Sequence, residues 1–111
     1  MRRFAPQAQA DLDEVVGWLL DHGSAAAAAE RLLAAVLEAA ERLAARPLLG
    51  RRRPDLLPDP FRFWSIPRHS LMLVYTSSLD GPTILRVLST NRDLGTLLAD
   101  FADGPDELGS T

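Results

Sequence analysis

Three short apolar runs in the second half of the chain constrain the fold most. They cover residues 61–66, 71–77 and 83–89 and are rich in branched and aromatic side chains, which is typical of β-strands. Pro67 interrupts the end of the first run, and the Asp-Gly-Pro sequence at residues 80–82 separates the other two. Both features are turn signals. The sequence therefore predicts an antiparallel meander of three strands.

The first half of the chain predicts two helices that pack as a tight antiparallel hairpin. Pro6 suits the first turn of one helix, which Gly23 ends. An alanine-rich helix follows over residues 25–46, with Ser24 as its N-cap. Apolar residues at helical spacing are expected to face the core: Leu12, Val15, Val16, Leu19 and Leu20 with Trp18 beside them, then Leu32, Leu33, Val36, Leu37 and Leu43.

The acidic residues of the first helix, Asp11, Asp13 and Glu14, are expected on its outer face and in its early turns. Residues 2–5 are predicted as a short strand and residues 48–60, which contain three prolines, as a connecting segment. A short helix over residues 92–100 is expected to follow Asn91 as N-cap. Helices grouped before a meander indicate an α+β domain over residues 1–101, with the hairpin packed on a three- to four-stranded, mainly antiparallel sheet.

Composition excludes several classes of function. The chain has 111 residues, 47% of them apolar and 24% charged, so it is long enough for one modest core. It has no cysteine, which excludes disulfides and thiolate metal sites, and no cofactor or metal site is predicted. No apolar run reaches the roughly 18 residues that span a bilayer. The N-terminus lacks the apolar region of a secretory signal, so we expect a cytoplasmic protein.

The charge is unevenly distributed along the chain. All twelve basic residues are arginine, so any anion site is built from guanidinium groups. Residues 42–68 hold seven arginines against two acids, whereas residues 93–111 hold five acids and no base. The middle of the chain is therefore a cationic patch. The tail over residues 102–111 is acidic and is expected to be flexible.

The chain resembles the RelE/ParE superfamily of bacterial toxins from type II toxin–antitoxin systems. No single motif is specific, and the resemblance depends on the order and spacing of several segments over nearly the whole chain. These are Ala10-Asp11-Leu12, Arg46-Pro47-Leu48-Leu49-Gly50-Arg51, Arg53–Leu56 before Phe61-Arg62, Leu73-Val74-Tyr75, Ile84-Leu85-Arg86-Val87-Leu88 and Arg92-Asp93-Leu94.

The resemblance implies one of two activities. RelE-like members are ribosome-dependent messenger RNA endonucleases, and ParE-like members bind and inhibit DNA gyrase without nuclease chemistry. In both branches a cognate antitoxin wraps and neutralises the toxin in a hetero-oligomer. RelE-like enzymes typically carry a tyrosine close to the C-terminus and use lysines, whereas this chain has Arg92-Asp93-Leu94 there, no lysine, and Tyr75 as its one tyrosine. The ParE-like branch is therefore favoured.

The candidate site residues come from the cationic patch and from the last predicted strand and the segment after it. Contacts with the antitoxin or the target are assigned to Arg51, Arg52, Arg53, Arg62, Trp64, Arg68, Arg86 and Arg92. In the nuclease alternative, in which ribosome and mRNA are the partners, Arg62, Arg86 or Arg92 would stabilise phosphate and His69 or Tyr75 would carry protons.

Each assignment has a structural alternative. The 51–53 cluster would then be a solvated loop face, and Arg62 and Arg86 would pair with Asp55, Asp59 or Asp93, because a buried lone charge is very unfavourable. His22 and His69 are each candidate bases as lone histidines; in the alternative they would be solvated residues at a helix end and in a turn. Trp64 would then pack in the core. A third interpretation of the whole chain is a degenerate relative that serves only as an interaction module.

Overall fold

The computed structural model describes residues 3–23, 25–78, 81–91 and Leu98. In chain order it contains strand β1 (Arg3–Phe4), helices α1 (Pro6–Asp21) and α2 (Ala26–Ala45), and strands β2 (Arg62–Ile66), β3 (Leu71–Ser78) and β4 (Gly81–Ser89). This order confirms the predicted α+β fold. The helix predicted over residues 92–100 and the acidic tail lie outside the described residues, apart from Leu98.

The two helices begin without a side-chain cap. Pro6 is the first residue of α1 and follows an extended Ala5, with φ −66° and ψ 156°, because the proline ring fixes a helical φ and needs no N–H partner. An extended Ala25 precedes α2 in the same way. Ser24, the predicted cap, lies outside the described residues. The high helix propensity of alanine supports α2 without a capping side chain.

The sheet has the strand order β1–β4–β3–β2. The β1 strand runs parallel to β4, with Phe4 opposite Ile84, and the other neighbours are antiparallel. The β3–β4 register shifts where Val74 pairs with Arg86 but Tyr75 pairs with Ile84, which leaves Leu85 as the extra residue of a β-bulge. The sheet is thus mainly antiparallel, as predicted.

A core forms on each face of the sheet. On the helix side, the buried residues are Ala8, Leu12, Leu32, Val36, Ala39, Leu43, Ile66, Leu71, Leu73, Tyr75, Ile84 and Val87. On the opposite side they are Leu57, Phe61, Phe63, Val74, Leu88 and Leu98. The two sets alternate along β3, because successive side chains of a strand point to opposite faces.

The second core gives structure to the segment predicted as a simple connection. Leu57 and Phe61 are buried there, and Arg51 forms an isolated antiparallel bridge with Phe63. The backbone N–H of Arg51 donates to the Phe63 carbonyl over 2.8 Å, and the N–H of Phe63 donates to the Arg51 carbonyl over 2.7 Å. The segment therefore lies against the sheet and covers its second face.

Part of the predicted core face of α1 was wrong. Trp18 is 59% exposed and Leu20 is 49% exposed, whereas Asp11, predicted on the outer face, is 6% exposed. The buried face centres on Ala8 and Leu12, and with 3.6 residues per turn Trp18 and Leu20 lie on either side of that centre. In α2, Leu37 is likewise off the buried face and 44% exposed.

No helix among the described residues is both long enough and apolar enough to cross a membrane.

Candidate partner-binding groove

A groove lies where the β2–β3 turn meets the two helices. It consists of four adjoining depressions of about 310 to 540 Å³, and His69 is part of the wall of each. We call it the His69 groove. Its walls include Trp18 and Leu19 of α1, Arg31, Ala35, Glu38 and Arg42 of α2, Trp64 of β2, Arg68 and His69 of the turn, and Asn91 after β4.

The turn that presents Arg68 and His69 is fixed by backbone hydrogen bonds. Pro67–His69 forms one 3-10 turn, and Ser70 follows in the left-handed region with φ 53°. The N–H of Ser70 donates to the Pro67 carbonyl over 3.1 Å, and the N–H of Thr90 donates to the Ser70 carbonyl over 2.8 Å. The turn is therefore tied to the end of β4, with Arg68 exposed and His69 half-buried.

Three arginines of the His69 groove have no acidic partner within the part of the chain that the structure describes. Arg31, Arg42 and Arg68 are exposed, and none forms an ion pair with another described residue. Neither Arg31 nor Arg42 was among the predicted site residues. The sequence spacing of Arg31, Ala35, Glu38 and Arg42 could have identified them, because residues three and four apart lie on the same face of a helix. The groove thus gathers cations from α2 and from the turn.

Arg86 is engaged inside the protein. Its Nε donates to Asp11 Oδ2 over 2.8 Å and its Nη2 donates to Asp11 Oδ1 over 3.1 Å. Asp11 also accepts the backbone N–H of Val87 over 2.9 Å and the amide of Gln7 over 3.2 Å. The predicted pairing of Arg86 with Asp55 or Asp59 was wrong, because α1 lies beside β4 and brings a carboxylate from its buried face; Asp93 lies outside the described residues.

Arg62 is held by backbone carbonyls instead of a carboxylate. Its Nη1 donates to the Gly50 carbonyl over 2.8 Å and, more weakly, to the Leu48 carbonyl over 3.4 Å. The predicted pairing of Arg62 with Asp55 or Asp59 was therefore wrong, because these two pair with Arg53 and Arg52; Asp93 lies outside the described residues. Arg62 stands opposite Tyr75 in the sheet, so the two side chains share a face and meet the same loop.

Tyr75 completes the attachment of that loop. Its hydroxyl donates to the Pro47 carbonyl over 2.7 Å and accepts the Gly50 N–H over 2.8 Å. Burial raises the pKa of Tyr75, and the hydrogen bond from Gly50 and the charge of Arg62 oppose that rise. The phenol is thus neutral at physiological pH and fully engaged. Gly50 has no room for a side chain, because an added Cβ would lie 2.5 Å from the hydroxyl.

The 51–53 cluster is largely paired at the surface. Arg52 contacts Asp59 over 3.0 Å and Arg53 contacts Asp55 over 2.9 Å. The hydrogen-bonded pair raises the pKa of Arg53 and lowers that of Asp55. The side chain of Arg51 is exposed, and among the described residues it forms no ion pair.

The predicted site residues therefore do not form one surface. Arg68, Trp64 and His69 lie in the His69 groove, and Arg86 lies in its largest depression while bound to Asp11. Arg62 is the first residue of β2, and the 51–53 cluster lies in the loop before that strand. Arg92 lies outside the described residues. No group of three potential metal ligands is found in the part of the chain that the structure describes.

The two tryptophans that line the groove, Trp64 and Trp18, have different surroundings. Trp64 is half-buried and packs against the helix-side core. Trp18 stacks on the ring of His22, with centroids 4.0 Å apart, and His22 Nδ1 lies 2.9 Å from the Trp18 carbonyl oxygen. His22 is an exposed residue at a helix end, as its alternative predicted. Trp18 thus offers apolar surface beside the groove.

Comparison with known proteins gives a family and a fold. A family model described as ParE toxin of type II toxin-antitoxin system, parDE, matches residues 2–94. A solved structure titled as the chromosomal ParDE TA system from P. aeruginosa is similar in fold, with a TM-score of 0.65 and 20% sequence identity. The match covers 78% of this chain and 90% of the other. A search of curated protein sequences gives no significant match.

Proposed function

Because this chain belongs to the ParE toxin family of type II toxin–antitoxin systems, we propose that it binds and inhibits DNA gyrase and is neutralised by a cognate antitoxin. The family match over residues 2–94 is the observation that carries the proposal. Gyrase acts on DNA in the cytoplasm, so the proposal includes a cytoplasmic location and a hetero-oligomer with the antitoxin. Stabilisation of a plasmid or of a chromosomal segment would follow from such a pair.

The contacts of three of the five candidate catalytic residues, Tyr75, Arg86 and Arg62, support binding over RNA cleavage. Cleavage through a 2′-hydroxyl requires a proton acceptor, a proton donor and a cation that faces the phosphate. The Tyr75 hydroxyl is buried and already has two partners, and Arg86 is neutralised by Asp11. Arg62 is held by carbonyls. These residues would have to break structural contacts before they could act on RNA.

The distribution of free charge supports an acidic protein partner. Arg31, Arg42 and Arg68 have no carboxylate partner among the described residues, although the chain as a whole has a net charge of −3. Complementary charge steers partners together and selects among them. A segment rich in Asp and Glu on the antitoxin would satisfy these arginines.

Four assays test the proposed activity. The purified protein should inhibit supercoiling by DNA gyrase in vitro, and its induction in cells should arrest growth with filamentation and DNA breaks. Co-expression of the neighbouring short reading frame should restore growth. Primer extension on translated transcripts serves as the opposing test, because new in-frame cleavage ends with intact gyrase activity would support the nuclease alternative. Harmless induction without the partner would instead support an interaction module.

A further inference from the structure

One depression of the His69 groove has the composition of an anion site. It measures about 310 Å³ and is lined by Leu19, Ala28, Arg31, Leu32, Arg68, His69, Ser70 and Asn91. Arg31 comes from α2 and Arg68 from the turn, so two different elements each contribute an arginine to its lining. Among the described residues that line it, none is acidic. A site of this composition favours a negative group that accepts several hydrogen bonds.

We infer that this depression binds a carboxylate side chain of an acidic, amphipathic polypeptide segment. The assignment of that segment to the antitoxin rests on the proposed function, but the chemistry of the site does not. Guanidinium forks match carboxylate geometry and donate two parallel hydrogen bonds. Ser70 and Asn91 add neutral polar groups at the rim, and both belong to the turn and strand end that the Thr90–Ser70 hydrogen bond joins.

The apolar surroundings identify the ligand as a polypeptide. Leu19 and Leu32 line both this depression and the largest one, which continues over Trp18, Leu71 and Val87. If an acidic residue of the peptide binds Arg31 and Arg68, the peptide residues next to it can contact this apolar surface. This is the arrangement by which a groove binds an amphipathic helix through anchors on one face.

Charge argues against nucleic acid as the occupant. Binding to a phosphate backbone depends on many cations and on few nearby carboxylates. Glu38 lines two adjoining depressions, one of them together with Arg31 and Arg68. Asp11 and Glu14 line a third, and the net charge of the chain is −3. The acids would repel an extended phosphate chain, whereas a peptide can place one carboxylate locally and apolar groups elsewhere.

The test uses synthetic peptides with the purified full-length protein. One labelled probe is a helical peptide of Leu, Ala and Glu in an amphipathic pattern, and the second has every Glu replaced by Gln. A third is a single-stranded oligonucleotide. Fluorescence anisotropy should show that the Glu peptide binds about 10-fold tighter than the Gln peptide and that its affinity falls with added salt. Amide signals of Ser70 and Asn91 should shift on titration.

Variants locate the site. Arg31→Ala and Arg68→Ala should each weaken binding of the Glu peptide about 3- to 10-fold, and the double variant should remove the preference for Glu over Gln. Arg68→Lys should have an intermediate effect, because it keeps the charge and loses the fork. Arg46→Ala is the matched control, since Arg46 is also exposed but lies outside the groove, and it should leave the affinity unchanged.

Several outcomes would overturn the inference. They are equal affinity for the Glu and Gln peptides, a preference for the oligonucleotide, or affinities that Arg31→Ala and Arg68→Ala leave unaltered. Gyrase inhibition by the same samples is measured separately. Loss of peptide selectivity with intact gyrase inhibition refutes the anion site alone, and selective peptide binding without gyrase inhibition refutes the proposed target alone.

Discussion

The arginines of the sheet and the arginines of the His69 groove make an informative comparison. Arg86 within β4 and Arg62 at the start of β2 are strand residues whose guanidinium groups bind partners within the same chain. Arg31 and Arg68 lie on a helix surface and in a turn and have no such partner among the described residues. A cation next to the core destabilises the fold unless it has a partner. An exposed cation is solvated and remains available to bind another molecule. Position in the fold therefore separates structural arginines from binding arginines.

Removal of the Asp11 carboxylate, which binds Arg86, should have the largest effect on stability. Asp11→Ala leaves Arg86 without its partner, although the Arg86 side chain is 18% exposed, and also leaves the Val87 N–H unpaired. We expect a loss of about 2–4 kcal/mol in the free energy of unfolding, measured by urea denaturation.

The control for this variant lies on the same helix. Asp13→Ala removes an exposed carboxylate whose contact is a hydrogen bond from Gln9 over 3.3 Å, and should change stability by less than about 0.5 kcal/mol. Equal effects of the two variants would contradict a structural role for the Asp11–Arg86 pair.

Gly50 tests the loop that Arg62 and Tyr75 hold. In Gly50→Ala the new Cβ would lie 2.5 Å from the Tyr75 hydroxyl and 2.9 Å from the Phe63 carbonyl oxygen, so the loop must move. We expect a loss of about 1–3 kcal/mol in thermal or urea unfolding. Gly17→Ala is the matched control, because nothing lies within 4 Å of its Cβ and alanine favours a helix by about 0.5–1 kcal/mol. Gly50→Ala without destabilisation would show that the loop adapts freely.

The Tyr75 hydroxyl gives a smaller and pH-dependent effect. Tyr75→Phe removes both hydrogen bonds to the loop and should reduce the free energy of unfolding by about 1–2 kcal/mol at neutral pH. Because the pKa of Tyr75 is raised in the fold above its ordinary value of 10.0, its contribution is complete below that value and is lost as pH rises through the folded pKa. Urea titrations between about pH 9 and pH 11 should therefore show a steeper decline for the wild type than for Tyr75→Phe. Parallel declines would indicate that the phenol does not ionise with a shifted pKa.

The order of helices and strands could be predicted from the sequence because it depends on local patterns. Spacings of three and four residues predicted α1 and α2, and alternation with turn residues predicted β2, β3 and β4. The bounds differ from the expected ones by one or two residues at several ends, where a helix or strand depends on its neighbours.

The partners of the charged residues could not be predicted in the same way. Arg86 and Asp11 are 75 residues apart in the chain, and their contact depends on how α1 packs against β4. The sequence did contain one usable signal, since Asp11 lies between Ala8 and Leu12 on the face that proved to be buried. Burial of an acidic residue implies a partner, but only the fold identifies it.

The groove arginines should have the smallest effect on stability. Arg68→Ala and Arg31→Ala remove exposed side chains that form no ion pair with a described residue, so the free energy of unfolding should change by less than about 0.5 kcal/mol. Urea denaturation of these variants and of Arg86→Ala compares their free energies of unfolding directly. Arg86→Ala should be the less stable, since it leaves Asp11 buried without its cation. If Arg68→Ala destabilised the protein as much as Arg86→Ala, Arg68 would be a structural residue and any loss of partner binding would follow from misfolding. A stable Arg68→Ala protein that no longer prefers an acidic peptide would instead separate the two kinds of arginine by function.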